Sequence, residues 1–344
     1  MGPARLIAAL SFEDRATCGV VELADRIQEL VMLDYGSRAT PGHTARRARE
    51  QAWNKVGDIG KRTSMSPTRL EINPYSMRDL EDAILAPSPA THTYIDISCL
   101  TRPHVVAAAR ACTELTAQSR RWSVVYTTPL SYGNLNSVTS GFGWRDTLVL
   151  PLGREPSASN EGVSVGLVLL GQEAERLQIA LDEVEPAAGY AVHVVRDDRP
   201  DLYRRTIASN ELVLRHLRSL RMPGRRADAI RPFLPSLGWV ERGVHLPTLL
   251  SELAGIVSTV SSAARAAGAP VFLYPFGPKV SGFAAALMLA TEYPEASWCI
   301  YPIAVTHPLD YSEGCSEVAV LPDSAFAQPF ANAADNSLQD SEVC

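Results

Sequence analysis

The sequence lacks the patterns that mark several common classes of protein. It has no apolar run that approaches the roughly 18 residues needed to span a membrane. None of its six cysteines belongs to a CxxC pair or lies beside a histidine at ligand spacing, so the chain suggests neither a zinc site nor a disulfide framework. The HExxH pattern of metallohydrolases and the HxE with CxxC pattern of deaminases are absent as well. We therefore expect no metal, no membrane association, and reduced, structural cysteines.

What is present is the composition of an ordinary globular chain. The 344 residues are 46% hydrophobic, and the mean hydropathy is -0.02. This length is typical of about two domains or of one large α/β unit. The first ten residues hold one arginine and a short apolar run that leads directly into Ser11–Arg15. That arrangement predicts a first strand rather than a signal peptide, and hence a cytoplasmic protein.

Charge is distributed unevenly along the chain. The net charge is -6, yet residues 37–78 hold nine Lys or Arg against three acids, and residues 196–242 hold eleven arginines against six acids. Such basic stretches favour an anionic ligand or a nucleic acid, although a solvated surface role is the favoured interpretation of any single arginine. Lysine is rare, with only Lys55, Lys61 and Lys279.

The chain contains two copies of one α/β pattern, about 160 to 180 residues apart. In each copy, an apolar strand runs into a helix of 3.6-residue periodicity, a second strand and helix follow, and a third strand precedes Pro-Leu-x-Tyr. The matched segments are 5–30 with 163–184, 93–115 with 270–288, and 122–132 with 298–311. Three anchors that keep their order indicate an internal duplication.

Strands that alternate with helices predict mostly parallel sheets covered on both faces. We therefore predict an α/β fold of two Rossmann-like repeats, arranged as an internal pseudo-dimer. Each basic stretch is expected to be a helical insertion, centred on 40–56 and on 210–221. The predicted domains are a first repeat at 1–150 with a basic insertion at 37–78, a linker at 151–160, a second repeat at 161–328 with a basic insertion at 196–242, and a disordered tail at 329–344.

Polar residues follow the strands, at the edge where open parallel sheets bind ligands. Asp96, Ser98, Thr101 and Arg102 come directly after the second matched strand of the first copy. A carboxylate, two hydroxyls and a guanidinium suit a ligand at that position. A structural role is an equal alternative, in which Asp96 closes a turn and Ser98 or Thr101 caps the next helix.

The second copy offers Gly277, Lys279 and Ser281 after its matching strand. Because positive charge is nearly always arginine in this chain, a lysine at a Gly-Pro turn suggests a compact ammonium for a phosphate or for proton donation. The alternative is a surface lysine, with Ser281 as a helix cap. Tyr132 and Tyr311, after the third strands, suit stacking on a base or packing at the sheet edge.

A glutamate and an arginine recur at the first strand–helix junction of each copy. They are Glu13 with Arg15, and Glu173 with Arg176. These residues could contact a ligand or could pair across the interface between the two halves. The structural role is favoured, because a charged pair at a helix start often ties neighbouring loops together.

These motifs together resemble those of a family of bacterial proteins encoded in antiviral defence neighbourhoods. The motifs are Phe-Glu-x-Arg (12–15), Asp-Ile-Ser-x-x-x-Arg (96–102), Tyr-Thr-x-Pro-x-x-Tyr (126–132) and Gly-Pro-Lys (277–279). More distantly, the strand-end loops are similar to those of CARF and SAVED sensor domains, Rossmann-like units that bind cyclic oligonucleotides as a dimer or a fused pseudo-dimer. The chain departs from them in having Gly-Pro-Lys for Gly-Thr-Lys, and Arg102 where a lysine is expected.

The residues and the resemblance together predict a nucleotide-binding sensor or regulatory protein of bacterial antiviral defence. The ligand phosphates would lie at strand-end loops and helix N-termini in a cleft between the repeats, so a nucleotide is the expected ligand. One alternative is an enzyme that acts on a phosphoryl or glycosyl bond, with Asp96 as acid, base or nucleophile and Lys279 stabilising negative charge. Another is a module that binds nucleic acid or a defence-complex protein through the Arg-rich insertions.

Overall fold

The computed structural model describes residues 2–36, 43–132, 144–153, 163–223, 226–304 and 312–327, and the chain divides into two compact units. Unit 1 comprises Met1–Trp144 and Ala304–Asp323, and unit 2 comprises Arg145–Ile303 and Ser324–Cys344. The strands are β1 (Ala4–Leu10), β2 (Glu29–Asp34), β3 (Ser66–Glu71), β4 (His92–Asp96), β5 (Arg121–Thr127), β6 (Ser131–Tyr132), β7 (Trp144–Pro151), β8 (Val165–Leu169), β9 (Ala188–Val195), β10 (Trp239–His245), β11 (Val271–Pro275), β12 (Ser297–Ala304), β13 (Ser312–Glu313) and β14 (Val318–Pro322). The helices are α1 (Cys18–Leu23), α2 (His43–Arg62), α3 (Met77–Leu85), α4 (Arg102–Ala117), α5 (Ala174–Glu183), α6 (Pro200–Ser209), α7 (Glu211–Ser219), α8 (Arg226–Ile230), α9 (Leu249–Ala267) and α10 (Lys279–Glu292).

Unit 1 is built on a six-stranded sheet with the order β14-β5-β4-β1-β2-β3. Strands β1 to β5 pair in parallel, and β14 joins β5 in the antiparallel direction. Every residue of β1 is buried. This uninterrupted burial explains why β1 is a nearly continuous apolar run, since a central strand of a parallel sheet is covered on both faces.

Unit 2 repeats the same arrangement, with the strand order β10-β9-β8-β11-β12-β7. Its central strand β8 is also buried along its whole length, and it pairs in parallel with β9 and β11. The predicted α/β fold of two Rossmann-like repeats is therefore confirmed. In both sheets the first strand of the repeat is central, with the second and third strands on one side and the next two on the other.

The sixth strand of each sheet comes from the part of the chain that follows the fifth strand of the other sheet. After β5 the chain continues to β7, which lies at the edge of the unit 2 sheet, whereas β14 follows β12 but pairs with β5 of unit 1. The short strands β6 and β13 pair with each other. Consequently 304–323 belongs to unit 1, although the sequence analysis assigns this segment to the second repeat. Edge pairing is non-local, so the order of segments along the chain does not reveal it.

The basic stretches contain more than helices. Within 37–78 the structure describes α2 and also β3, which pairs with β2 at the sheet edge. Within 196–242 it describes α6, α7 and α8, and the first residues of β10. Of the predicted linker at 151–160 only Pro151–Gly153 is described, and the predicted tail at 329–344 lies outside the described residues.

The expectation that all cysteines are reduced is wrong for one pair. Cys18, at the start of α1, and Cys315, shortly before β14, form a disulfide within unit 1. They are 297 positions apart in the sequence, so no local spacing predicts their contact. Cys99, Cys112 and Cys299 carry buried thiols, as expected of structural cysteines.

One helix in the described residues, Leu246–Ala267, is long and apolar enough to cross a membrane by length and composition. It contains α9. Leu253, Val257 and Val260 of this helix are fully buried, and the helix contacts α10 and the central strands of unit 2. In the structure it is thus a core helix of unit 2.

Candidate functional site

Each sheet has a topological switch point, where two neighbouring strands are followed by connections that run in opposite directions. In unit 1 this point lies between β1 and β4, and in unit 2 between β8 and β11. Ligands of open parallel sheets bind beyond the carboxyl ends of the strands at such points. The predicted group Asp96–Arg102 follows β4, and the predicted group 277–281 follows β11. Each group therefore lies at the switch point of its own unit.

Asp96 and Ser98 join the ends of two strands in unit 1. Asp96 is 2% exposed, and its Oδ1 accepts a hydrogen bond from the Ser98 amide at 2.8 Å. The Ser98 hydroxyl in turn accepts from the amide of Thr127, at the end of β5, at 2.7 Å. Asp96 thus closes a turn, as the structural alternative predicts, while its second oxygen faces α1. The ligand-binding role of both residues stays a prediction.

The helix that follows, α4, is not capped by its N-cap residue. Thr101 occupies that position, but its hydroxyl donates to the carbonyl of Pro74 at 3.0 Å and makes no cap. The prediction that Thr101 caps this helix is therefore wrong, whereas a cap by Ser98 stays a prediction. Arg102, the first residue of α4, is partly buried. Helix N-termini without a side-chain cap favour anions, because their amides and dipole carry positive charge.

A buried histidine and tyrosine hold the start of α4 in place. The Tyr35 hydroxyl lies 2.8 Å from His104 Nδ1, and His104 Nε2 lies 2.9 Å from the carbonyl of Ser76. A carbonyl only accepts, so Nε2 carries the proton and Nδ1 accepts from Tyr35. Burial lowers the pKa of His104 to about 4, which keeps it neutral. Sequence reasoning missed this network, because Tyr35 and His104 are distant in the chain.

The start of α1 lies directly against Asp96. A Cβ added to Gly19 would clash with Asp96 Oδ2, so the close approach requires a glycine at this position. Two residues earlier, the Thr17 hydroxyl accepts a hydrogen bond from Lys55 Nζ at 2.9 Å. Lys55 lies on α2, in the first basic stretch, and it reaches the β1–α1 loop although the sequence analysis assigned it no site role.

Glu13 and Arg15 pair with each other within unit 1. Arg15 Nη2 lies 2.5 Å from Glu13 Oε2, and both side chains are almost fully buried. Arg15 Nη1 donates to the carbonyl of Thr127 at 3.2 Å. Burial by itself lowers the pKa of the Arg15 guanidinium, but the Glu13 carboxylate outweighs this effect and raises the pKa above its ordinary value. The pair ties the β1 loop to the end of β5.

The equivalent pair in unit 2 has the same form. Arg176 Nη1 lies 2.5 Å from Glu173 Oε2 and donates to the Tyr301 hydroxyl at 2.7 Å. Tyr301 lies on β12 and stacks on Phe276 with ring centroids 5.8 Å apart. Each arginine therefore pairs with the glutamate of its own motif and reaches the fifth strand of its own sheet.

In unit 2 the loops after β8 and β11 touch at the switch point. A Cβ added to Gly171 would clash with the carbonyl oxygen of Phe276, so only glycine permits this contact. Gly277 is packed tightly as well, since an added Cβ would lie 3.1 Å from Ser281 Oγ. Ser281 is 1% exposed, and its hydroxyl donates to the carbonyl of Pro278 at 2.7 Å.

Lys279 is the first residue of α10 and is partly buried. The N-cap residue of this helix is Pro278, which has no side chain that accepts a hydrogen bond. The N-cap position is held by Pro278 and Ser281 lies inside the helix, so the capping alternative for Ser281 is wrong. The N-terminus of α10, with Lys279 as its first residue, thus lies at the switch point and favours negative charge.

Three other predictions concern the tyrosines, the arginines and metals. Tyr132 belongs to β6, and Tyr311 lies outside the described residues.

In the second basic stretch five arginines form ion pairs with nearby acids. They are Arg196 with Asp198, Arg199 with Asp201, Arg215 with Glu211, Arg218 with Glu241, and Arg231 with Asp228. Among the described residues no group of three or more His, Cys, Asp or Glu side chains is placed to hold a metal ion.

Comparison with known proteins finds a likeness to solved structures. No protein-family model matches the chain, and no curated protein matches it. The chain is similar to a solved structure described as that of a type III CRISPR defence DNA nuclease activated by cyclic oligoadenylate. The two are 10% identical with a TM-score of 0.48, and the match covers 92% of this chain and 68% of the other.

Proposed function

We propose that this protein binds a nucleotide through its phosphate groups and acts as a sensor or regulatory protein. The observation that carries the proposal is the N-terminus of α10, which begins at the switch point of unit 2 with Lys279 and has no side-chain cap. A helix start of this kind is a ready anion site, because first-turn amides and the helix dipole both favour negative charge. A lysine adds a compact ammonium that binds phosphate as a point charge.

Unit 1 supports the same proposal with different residues. The N-terminus of α4 also lies at a switch point, its N-cap hydroxyl is used elsewhere, and Arg102 is its first residue. Asp96 has the chemistry to accept hydrogen bonds from a ribose or a base. The motif resemblance extends the proposal to a cytoplasmic protein of bacterial antiviral defence, with a cyclic oligonucleotide as one class of ligand.

The ion pairs in the second basic stretch weigh against a module whose main function is nucleic-acid binding. Five of its arginines are already paired with carboxylates, so their charge is largely neutralised within the protein. Phosphate contacts by these five arginines would require their ion pairs to open. The strand-end loops are therefore the better candidates for an anionic ligand.

The proposal is tested by native mass spectrometry of the purified protein, with identification of any nucleotide released on denaturation. The Lys279→Ala variant is compared with Lys61→Ala, because Lys61 is exposed and pairs with Asp58 on the surface of α2. We expect a nucleotide to be retained by the wild type and by Lys61→Ala, and to be lost from Lys279→Ala. Nucleotide affinity that is unchanged in Lys279→Ala would overturn the proposal.

A further inference from the structure

The first unit has its own lysine at the switch point, although the sequence pattern offers an arginine there. We infer that Lys55 binds ligand phosphate in unit 1, as Lys279 does in unit 2. The inference rests on the proposed function. It adds Lys55 of α2 to the residues of the strand-end motifs that would bind the ligand. It identifies the ligand of unit 1 as phosphate-bearing.

The position of Lys55 follows from two contacts. Its Nζ donates to the hydroxyl of Thr17 at 2.9 Å, and Thr17 is only 4% exposed. Gly19, two residues further, lies against the carboxylate of Asp96. Helix α2 begins 12 residues before Lys55. It thus places the Lys55 ammonium at the loop between β1 and α1, beside the carboxyl ends of β1 and β4.

The charge of Lys55 is available to a ligand. Among the described residues its one polar contact is the Thr17 hydroxyl, so no carboxylate neutralises it there. Lys61, six residues further along the same helix, pairs with Asp58 at 2.9 Å and is 77% exposed. An ammonium has three donors, and Thr17 uses one of them. The remaining donors suit phosphate oxygens.

Two buried polar atoms at the same edge point to a polar ligand. Arg15 Nε and Thr127 Oγ1 have no hydrogen-bond partner among the described residues, and these residues are 2% and 0% exposed. Arg15 donates to the Thr127 carbonyl, and the Thr127 amide donates to Ser98, which contacts Asp96. A buried polar atom without a partner is costly, so a ligand with oxygen and hydroxyl groups fits this edge.

The rarity of lysine provides a direct test. Protein grown with lysine labelled with ¹³C at Cε gives three Cε signals, assigned with the Lys→Arg variants, and the probe is sodium tripolyphosphate. We expect the signals of Lys55 and Lys279 to shift and saturate while that of Lys61 does not. If Lys279 shifts and Lys55 does not, the inference is overturned and the proposed function stands. If neither shifts, or if Lys61 shifts as much as the others, both are overturned.

A second measurement separates binding from structure. We expect Lys55→Ala to weaken tripolyphosphate binding to unit 1 by about tenfold or more, the usual effect of one charge-assisted hydrogen bond. Lys55→Arg is expected to recover part of the affinity, because charge is retained without the compact geometry. Lys61→Ala is the matched control. A fall in thermal midpoint with unchanged affinity in Lys55→Ala would show that Lys55 only fastens α2 to the loop, and would overturn the inference.

Discussion

Removing the disulfide between Cys18 and Cys315 is expected to destabilise unit 1. The bond joins residues 297 positions apart, so it closes a very long loop in the unfolded chain. In the chain-entropy account a loop of about 300 residues restricts the unfolded chain by roughly 5 to 6 kcal/mol at 25 °C. Most of unit 2, Arg145–Ile303, lies inside that loop, and the unfolded part of the loop is shorter while unit 2 stays folded. We therefore expect a loss of about 2 to 5 kcal/mol in the free energy of unfolding of unit 1.

The assay is urea denaturation followed by far-ultraviolet circular dichroism. It compares the oxidised protein, the protein reduced with dithiothreitol, and the double variant Cys18→Ala, Cys315→Ala. We expect reduction and the double variant to lower the same urea midpoint by the same amount, and reductant to leave the double variant unchanged. Mass spectrometry of an unreduced digest identifies the linked peptides. If the oxidised and reduced proteins unfold at the same urea midpoint, the disulfide contributes nothing to the stability of unit 1 and the reasoning fails.

Two further predictions concern single positions. Gly171→Ala is expected to lower the thermal midpoint of unit 2 by several degrees or more, because the new Cβ would clash with the Phe276 carbonyl. The control is Gly255→Ala in α9, where an added Cβ meets nothing within 4 Å. This control variant is expected to be neutral or slightly stabilising. Equal loss in both variants would contradict this account of Gly171. Stability is expected to fall as the pH drops from about 6.5 to 4, because the folded-state pKa of His104 is lowered to about 4 and the unfolded chain binds the proton first. The full effect is about 3 kcal/mol, and a His104→Gln variant with the same slope of stability against pH would show that His104 is not its source.

The duplicated core could be predicted from the sequence because its signals are local. The run Arg5–Leu10 becomes β1, and the run at 163–170 becomes β8, in each case within two or three residues of the predicted bounds. A central parallel strand needs apolar residues on both faces, so it appears in the sequence as an uninterrupted run. The helices after these strands have apolar residues at the 3.6-residue spacing of a helix. Each element can therefore be predicted without information on distant residues.

About half of the candidate site could be predicted in the same way. Asp96 and Lys279 directly follow apolar strands, and the carboxyl edge of a parallel sheet is where a chain of this type places polar side chains. Their detailed contacts were not predictable. Lys55 reaches Thr17 from another helix, and Tyr35 meets His104 across 69 positions. Such contacts depend on how α2 and α4 lie on the sheet, which no local pattern records.

The two α/β repeats, the order of their strands and helices along the chain, and the edge at which their polar loops lie could all be predicted from the amino-acid sequence. The folded structure was needed to show that β14 completes the first sheet and β7 the second, that Cys18 bonds to Cys315, and that Arg15 reaches the carbonyl of Thr127. The physical reason is the range of the interactions. Apolar periodicity acts between neighbouring residues, whereas edge pairing, disulfides and hydrogen bonds between distant segments depend on which surfaces the folded chain brings together.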